Sequence, residues 1–215
     1  MPESVVVLQL YGEGVTDVGP QTTNPVHPTK GIATIFVHAL CGAMPQLRVR
    51  SAHYAHLHGK KSLWQKVKFA KRQSFYDRGV SGVVFIMDSE GIPEVLNELI
   101  HGRDAEHADF PMAVGMAHPC IEAWLLCDAK AIQSALSLSK PSQLPSGIES
   151  LPAPQQNRAL NPKSELKRIA GVESASQKNA IALRIKDFEL LRTACPIGFA
   201  RFADEIEGRI KRLFD

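Results

Sequence analysis

An unbroken apolar run, Val83 to Met87, that leads into the carboxylates Asp88 and Glu90 is the feature that most constrains this chain. Five consecutive apolar residues, led by β-branched ones and flanked by glycines, are typical of a parallel strand that is covered on both faces. In open parallel sheets, functional sites lie just beyond the carboxyl ends of such strands. In extended chain the two acids point to the same side and can hold one divalent cation between them. Alternatively, Asp88 caps a following helix.

A second acidic site follows the first apolar run of the chain. Val5 to Tyr11 is rich in β-branched residues and stops at Gly12-Glu13-Gly14, which repeats the order of strand, acid and glycine. The glycines allow a sharp turn and the close approach of a ligand. Glu13 is therefore a third candidate ligand, with a plain turn as the simpler interpretation of this segment alone.

A fourth acid, Glu122, opens an otherwise apolar segment that has helical spacing up to Leu126. Pro119 suits the first position of this predicted helix. Glu122 either complements the helix dipole or points into a site. His118, just ahead of it, is a helix cap, a core histidine or a contact to phosphate.

Composition excludes several classes of protein. With 215 residues and 44% hydrophobic content, the chain can bury a substantial core. No apolar run approaches the roughly 20 residues of a membrane helix, and the start of the sequence does not resemble a signal peptide, so we expect a cytoplasmic protein without membrane contact. The four cysteines are scattered singly, which argues against a zinc knuckle or a disulfide framework.

The distribution of charge is more informative than the net charge of +3. No acidic residue occurs between Asp17 and Asp77, against nine lysines and arginines, and many of these lie on a predicted helix from Ser62 to Tyr76. Such a surface suits the phosphates of a nucleic acid, although a protein partner or an acidic neighbour would also explain it. The predicted nucleic-acid-binding residues are Lys60, Lys61, Lys66, Lys68, Lys71, Arg72 and His118.

The order of elements predicts an α/β fold with a mostly parallel central sheet flanked by helices. Residues 137–162 hold five prolines and many Ser and Gln residues, which indicates a long loop. The chain beyond it has helical periodicity. We therefore predict an α/β core over 1–136, a Pro/Ser-rich loop over 137–162 and a helical C-terminal part over 163–215, packed on the core.

Together these motifs resemble the TOPRIM (topoisomerase-primase) family. The segment Tyr11 to Asp17 looks like its glycine-rich turn with Glu, and Asp88-Ser89-Glu90 looks like its Asp-x-Asp motif, with Glu in place of the second Asp. Pro119 to Trp124 is similar to a Pro-x-x-Glu-x-Trp element of small stand-alone bacterial TOPRIM-like proteins, relatives of RloB and of the OLD (overcoming lysogenization defect) nucleases. Asn161-Pro162-Lys163 looks like their late motif.

The resemblance implies a TOPRIM-like fold and a nuclease that cleaves phosphodiester bonds in DNA or RNA with Mg²⁺ or Mn²⁺. It also implies a role in bacterial defence against phage or plasmids, beside an ATPase partner of the SMC or ABC type. The implied metal ligands are Glu13, Asp88, Glu90 and Glu122. Glu13 would also serve as general base, Glu122 would complete or orient the site, and Lys163 would stabilise charge in the transition state.

The sequence leaves two alternatives open. The chain could be a non-catalytic regulatory or interaction subunit of an ATPase-containing complex, with the basic surface docking the partner. Primase-like nucleotidyl transfer is the other, but nothing in the sequence resembles a zinc-binding or separate polymerase domain. Association of the chain with copies of itself is left open.

Overall fold

A four-stranded, all-parallel sheet organises the fold, in the order β2-β1-β3-β4, which confirms the predicted α/β class. The computed structural model describes residues 5–20, 31–42, 44–54, 62–140 and 143–214. The strands are β1 (Val6–Gly12), β2 (Leu47–His53), β3 (Gly82–Asp88) and β4 (Met112–Ala117).

Strand β1 is central and pairs in parallel with a neighbour on each side. Leu8 lies opposite Val49 of β2, and Leu10 lies opposite Val84 of β3. Parallel neighbours end at the same edge of a sheet, so the loops that leave β1 and β3 start from one edge. In β3 the run from Gly82 to Ile86 is buried throughout, as expected for a strand covered on both faces.

Ten α-helices are described in the same ranges of the chain. Their bounds are α1 (Val15–Val18), α2 (Ile32–Leu40), α3 (Leu63–Tyr76), α4 (Val95–Asp104), α5 (Glu122–Leu125), α6 (Ala129–Leu136), α7 (Pro162–Ala170), α8 (Ala175–Arg184), α9 (Phe188–Ala194) and α10 (Phe199–Glu205). A π-helical turn, Ile206–Ile210, and a 3₁₀ turn, Lys211–Phe214, continue from α10. The predicted Pro/Ser-rich loop contains the 3₁₀ turn Ile148–Ser150.

Local sequence explains where helices α7 and α8 begin. Helix α7 begins after Asn161, whose side chain accepts the Ser164 N–H, and Pro162 occupies its first turn. It ends at Gly171, whose φ of 64° is the left-handed conformation that glycine adopts without strain. Helix α8 begins with a capping box between Ser174 and Gln177.

The structure differs from the sequence-based expectation ahead of Glu122. Pro119 was predicted at the first position of a helix, but its peptide bond with His118 is cis and α5 begins only at Glu122. The prediction was wrong because it used only the tolerance of proline at a helix start. The chain instead makes a turn between β4 and α5.

The chain packs as two compact units, each assembled from separate stretches. The first contains the described residues of 1–86, 94–115 and 202–215, and the second contains 87–93 and 116–201. The domain boundaries predicted from the sequence used continuous ranges and remain a prediction.

Each unit has its own apolar core. In the first unit, Leu8, Phe36 and Phe85 are fully buried, and Phe202 packs so closely on Gly115 that a Cβ there would lie 2.5 Å from the ring. In the second unit, Trp124 meets Phe199 edge to face at 5.3 Å between ring centroids. Among the residues that the structure describes, no helix has the length and apolar character to cross a membrane.

Candidate functional site

Three buried side chains of the second unit form a cluster with metal-ligating chemistry: Asp88, Cys120 and Glu122. One ligand atom from each lies within 4.8 Å of the other two. The residues are 7%, 1% and 2% exposed, respectively. The cluster therefore combines two hard carboxylate oxygens with one soft sulfur, shielded from solvent.

Hydrogen bonds between two turns bring these residues together. Asp88 is the last residue of β3, and its Oδ1 accepts the Ile121 N–H at 2.9 Å. The Glu90 N–H donates to the Pro119 carbonyl at 3.1 Å. The turn after β3 is thus attached to the segment that carries Cys120 and leads into α5.

Two lysines from the C-terminal helices reach the carboxylates of the cluster. Lys178 of α8 donates to Glu122 Oε1 at 2.7 Å. Lys163 of α7 places its Nζ 3.9 Å from both Asp88 Oδ2 and Glu122 Oε2. Two ammonium groups thus offset the charge of two buried carboxylates, without which burial of the acids would be costly.

One oxygen of the cluster is left without a hydrogen bond of ordinary geometry. Glu122 Oε2 is buried and has no such partner in the described part of the chain. An unsatisfied buried acceptor costs about 1 to 3 kcal/mol, more when it is charged. Such an atom, beside a second carboxylate and a thiol, is a natural ligand for a cation.

The Cys120 thiol is held in its neutral form. Burial is the main cause that raises the pKa of this thiol, and the negative charges of Glu122 and Asp88 raise the pKa further. As a neutral thiol, Cys120 can remain beside two carboxylates without adding a third negative charge.

A serine and a histidine lie beside the cluster and fix each other's orientation. Ser89 Oγ lies 2.7 Å from His118 Nδ1 and accepts the Gly91 N–H at 3.2 Å. Because a hydroxyl has one proton and two acceptor lone pairs, Ser89 can donate to Nδ1 while it accepts the Gly91 N–H, and in that arrangement the proton of a neutral His118 lies on Nε2. Burial lowers the pKa of His118, which favours the neutral ring over the imidazolium cation.

Glu90 does not continue strand β3, although this was expected from the sequence. The strand ends at Asp88, and Glu90 has a left-handed backbone with φ of 52°. Its carboxylate accepts Gln155 Nε2 at 2.6 Å, and it is not one of the three clustered residues. The expectation that Asp88 and Glu90 share a side of an extended chain was wrong, because a tight turn begins between them.

Glu13 lies in the first unit, in the turn after β1. Tyr54 donates its phenol proton to Glu13 Oε1 at 2.9 Å, and the Tyr54 ring packs 5.9 Å from that of Phe85. Lys66 Nζ lies 5.1 Å from the centre of the Tyr54 ring. The predicted role of Glu13 as metal ligand or general base stays a prediction.

The predicted nucleic-acid-binding residues of α3 have unlike environments. Lys68 pairs with Glu106 at 2.9 Å, and Arg72 is exposed. Lys71 is only 2% exposed and donates to the Arg103 carbonyl at 2.7 Å, so including it among phosphate-binding residues was wrong. It lies on the stripe of α3 that packs inward. Lys60 and Lys61 fall outside the described residues.

Sequence reasoning missed Cys120 and Lys178 as site residues. Cys120 has a local signal, because it lies two residues before Glu122 within the Pro-x-x-Glu-x-Trp motif. Lys178 carries no local signal, since its partner is 56 residues away in the sequence. Comparisons with protein families, with curated proteins and with solved structures found no match for this chain.

Proposed function

We propose that this protein is a metal-dependent nuclease of the TOPRIM type, which hydrolyses phosphodiester bonds in DNA or RNA with Mg²⁺ or Mn²⁺. The observation that supports it most is the set of two buried carboxylates, Asp88 and Glu122, met by two lysines beyond the end of a parallel strand. Phosphoryl chemistry needs positive charge around the transferred group, and this set can provide it.

The residues present fit a hard divalent cation. Mg²⁺ is typically held by one or two carboxylates, with water and substrate phosphate completing its six ligands. The site has two carboxylate oxygens for this purpose. Glu122 Oε2 is buried without a hydrogen-bond partner among the described residues, and Asp88 Oδ2 lies on the same side of Lys163. Bound there, the cation would polarise a phosphoryl oxygen and lower the pKa of a water ligand.

The lysines have different roles in this proposal. The Lys178 side chain is largely buried and holds Glu122 through Oε1, so it orients the ligand. The Lys163 side chain is 48% exposed and lies 3.9 Å from both carboxylates, too far for a hydrogen bond. A cation on the carboxylates would release Lys163 toward a substrate phosphate, where its charge would stabilise the transition state.

His118 suits a phosphate as a neutral donor. In the tautomer in which Ser89 donates to Nδ1, the Nε2 proton points away from that bond and can be donated to a non-bridging phosphate oxygen. This role agrees with its predicted place among the nucleic-acid contacts. We extend the proposal to a cytoplasmic role in defence against phage or plasmids with an SMC- or ABC-type ATPase, which rests on the resemblance of the motifs alone.

The test compares Asp88→Asn with the wild-type chain on duplex DNA, single-stranded DNA and RNA, with Mg²⁺ and with Mn²⁺. Asparagine keeps an oxygen for the Ile121 N–H but removes the charge. We expect cleavage to fall by at least about 100-fold, because losing even an outer partner of a metal ligand costs about 10- to 100-fold. Asp77→Asn, which alters an exposed pair with Arg50, is the control. Unchanged cleavage by Asp88→Asn would refute the assignment.

A second candidate is a non-catalytic subunit that binds a partner protein. The exposed aromatic side chains Phe75 and Tyr76 at the end of α3, 43% and 66% exposed, favour it because large exposed apolar groups mark interaction surfaces. No cleavage of any substrate by a folded wild-type chain that binds Mn²⁺ would support this candidate over the nuclease.

A further inference from the structure

Cys120 gives the cluster a chemistry that a magnesium site does not use. We propose that Asp88, Cys120 and Glu122 form a binding site for a thiophilic divalent cation of the Zn²⁺ and Cd²⁺ class, with the Cys120 thiolate as its distinguishing ligand. The binding itself is independent of catalysis, and only its regulatory consequence rests on the proposed function.

The spacing of the cluster is close to what such an ion requires. Bonds of about 2.0 to 2.3 Å in tetrahedral geometry place neighbouring ligand atoms roughly 3.3 to 3.8 Å apart. The ligand atoms here lie within 4.8 Å of one another before any ion is bound. A contraction of about 1 Å, within the reach of side-chain rotation, therefore completes a three-ligand site with one open position.

The buried Glu122 Oε2, which accepts no hydrogen bond among the described residues, is a second observation that points to a cation. Its sister atom Oε1 is held by Lys178, and Asp88 Oδ1 is held by the Ile121 N–H. Each carboxylate is thus oriented by a hydrogen bond to one of its oxygens, in the same way that outer partners orient the ligands of a metal. Glu122 Oε2 and Asp88 Oδ2 lie on the side of Lys163, each 3.9 Å from its Nζ.

Sulfur decides which cations this site prefers. Thiolates select Zn²⁺ and similar soft or borderline ions, whereas Mg²⁺ prefers oxygen and keeps its water ligands. On binding, the Cys120 S–H bond breaks, its proton goes to solvent, and a sulfur–metal bond forms with no change of oxidation state. Two carboxylates and one thiolate then carry three negative charges, which offset the cation and one of the two lysines.

The consequence for activity follows if the nuclease proposal holds. An ion bound by Cys120 occupies the same carboxylate oxygens that Mg²⁺ would use and takes fewer water ligands. We therefore expect Zn²⁺ to inhibit Mg²⁺-dependent cleavage by competition, with inhibition relieved by excess Mg²⁺.

Titration of the reduced full chain with CdCl₂ tests the binding. We expect an ultraviolet sulfur-to-cadmium charge-transfer band that saturates at one ion per chain, with release of a proton. Cys120→Ser should lose the band and bind Cd²⁺ at least about tenfold more weakly, a change of about 1.4 kcal/mol. Cys120→Ala serves as a second variant, and thermal melting confirms that each is folded.

Two controls use the other buried thiols. Cys41 lies in the first unit outside the cluster, so Cys41→Ser should keep the band. Cys127 and Cys195 place their sulfur atoms 3.2 Å apart and are the alternative cadmium site. A band that survives in Cys120→Ser and disappears in Cys127→Ser would overturn the proposal, as would the absence of any band in the wild type.

The outcome separates this inference from the proposed function. A wild-type chain that shows the Cys120-dependent band but cleaves no nucleic acid would support the cation site and refute the nuclease. A chain that cleaves with Mg²⁺ but shows no such band would support the nuclease and refute the cation site.

Discussion

Helix α3 and the pair α7 and α8 are both rich in lysine, yet their lysines have different tasks. On α3, Lys68 pairs with Glu106 near the surface, and Lys71 donates to a backbone carbonyl in the interior. On α7 and α8, Lys163 and Lys178 reach the buried acids of the candidate site. A basic stretch in a sequence therefore does not identify its own partner. The acidic neighbour that tertiary packing supplies determines the role of each lysine.

The largest effect on stability is expected from Lys178→Met. It leaves the Glu122 carboxylate, 2% exposed, with its hydrogen-bonded cation removed. Breaking one side of a buried pair costs about 3 to 5 kcal/mol, which urea unfolding at neutral pH can measure.

A matched exposed pair and a double variant control this prediction. Lys167 and Glu173 lie 2.6 Å apart with both side chains well exposed, so Lys167→Met should leave the urea midpoint unchanged. The double variant Glu122→Gln with Lys178→Met should recover part of the loss. Equal effects of Lys178→Met and Lys167→Met would show that the contrast between buried and surface lysines is false.

Lys71→Met should have an intermediate effect. It removes the donor to the Arg103 carbonyl in a buried position and should lower the free energy of unfolding by about 1 to 3 kcal/mol. Because Lys71 does not face solvent, the salt dependence of nucleic-acid binding should not change. Arg72→Met, at the exposed neighbouring position, is the control for stability. A reduced salt slope in Lys71→Met would show that this lysine contacts phosphate.

The pH dependence of the Lys71 effect has a defined sign. Burial lowers the pKa of Lys71, the positive charges of Arg103 and Arg209 lower it further, and the nearby Asp104 acts in the opposite direction. Between the lowered pKa and the ordinary value of 10.5 the unfolded chain binds more protons, so the stability of the folded state rises with pH in that window. The wild type should therefore gain stability relative to Lys71→Met as the pH approaches 10.5.

The smallest effect on stability is expected from replacing Lys66, Lys68 and Arg72 together with serine. These side chains are partly or fully exposed, so the free energy of unfolding should change by about 0.5 kcal/mol or less for each. Binding to unrelated duplexes across a salt series should lose up to about 2 to 3 units of slope, at about 0.9 per phosphate contact. An unchanged slope would assign this surface of α3 to a protein partner.

The sequence-based predictions succeeded where the signal was local. The burial of β3 and the irregular path of the described residues between α6 and α7 both follow from patterns within a few residues. They failed at Glu90 and Pro119, where a turn replaced the extended or helical conformation that neighbouring residues suggested. The reason is physical, because the conformation of a turn at a packed sheet edge depends on its contacts with residues that are distant in the sequence.

By itself, the sequence determined an α/β fold in which an acid follows a buried parallel strand, because β-branched apolar runs favour strands and the glycines beside them permit sharp turns. Only the tertiary structure decided that Asp88 joins Cys120 and Glu122 and that Lys178 neutralises Glu122. Those contacts join residues up to 56 positions apart, and they form because burying the acids is favourable only with hydrogen bonds and cations at hand.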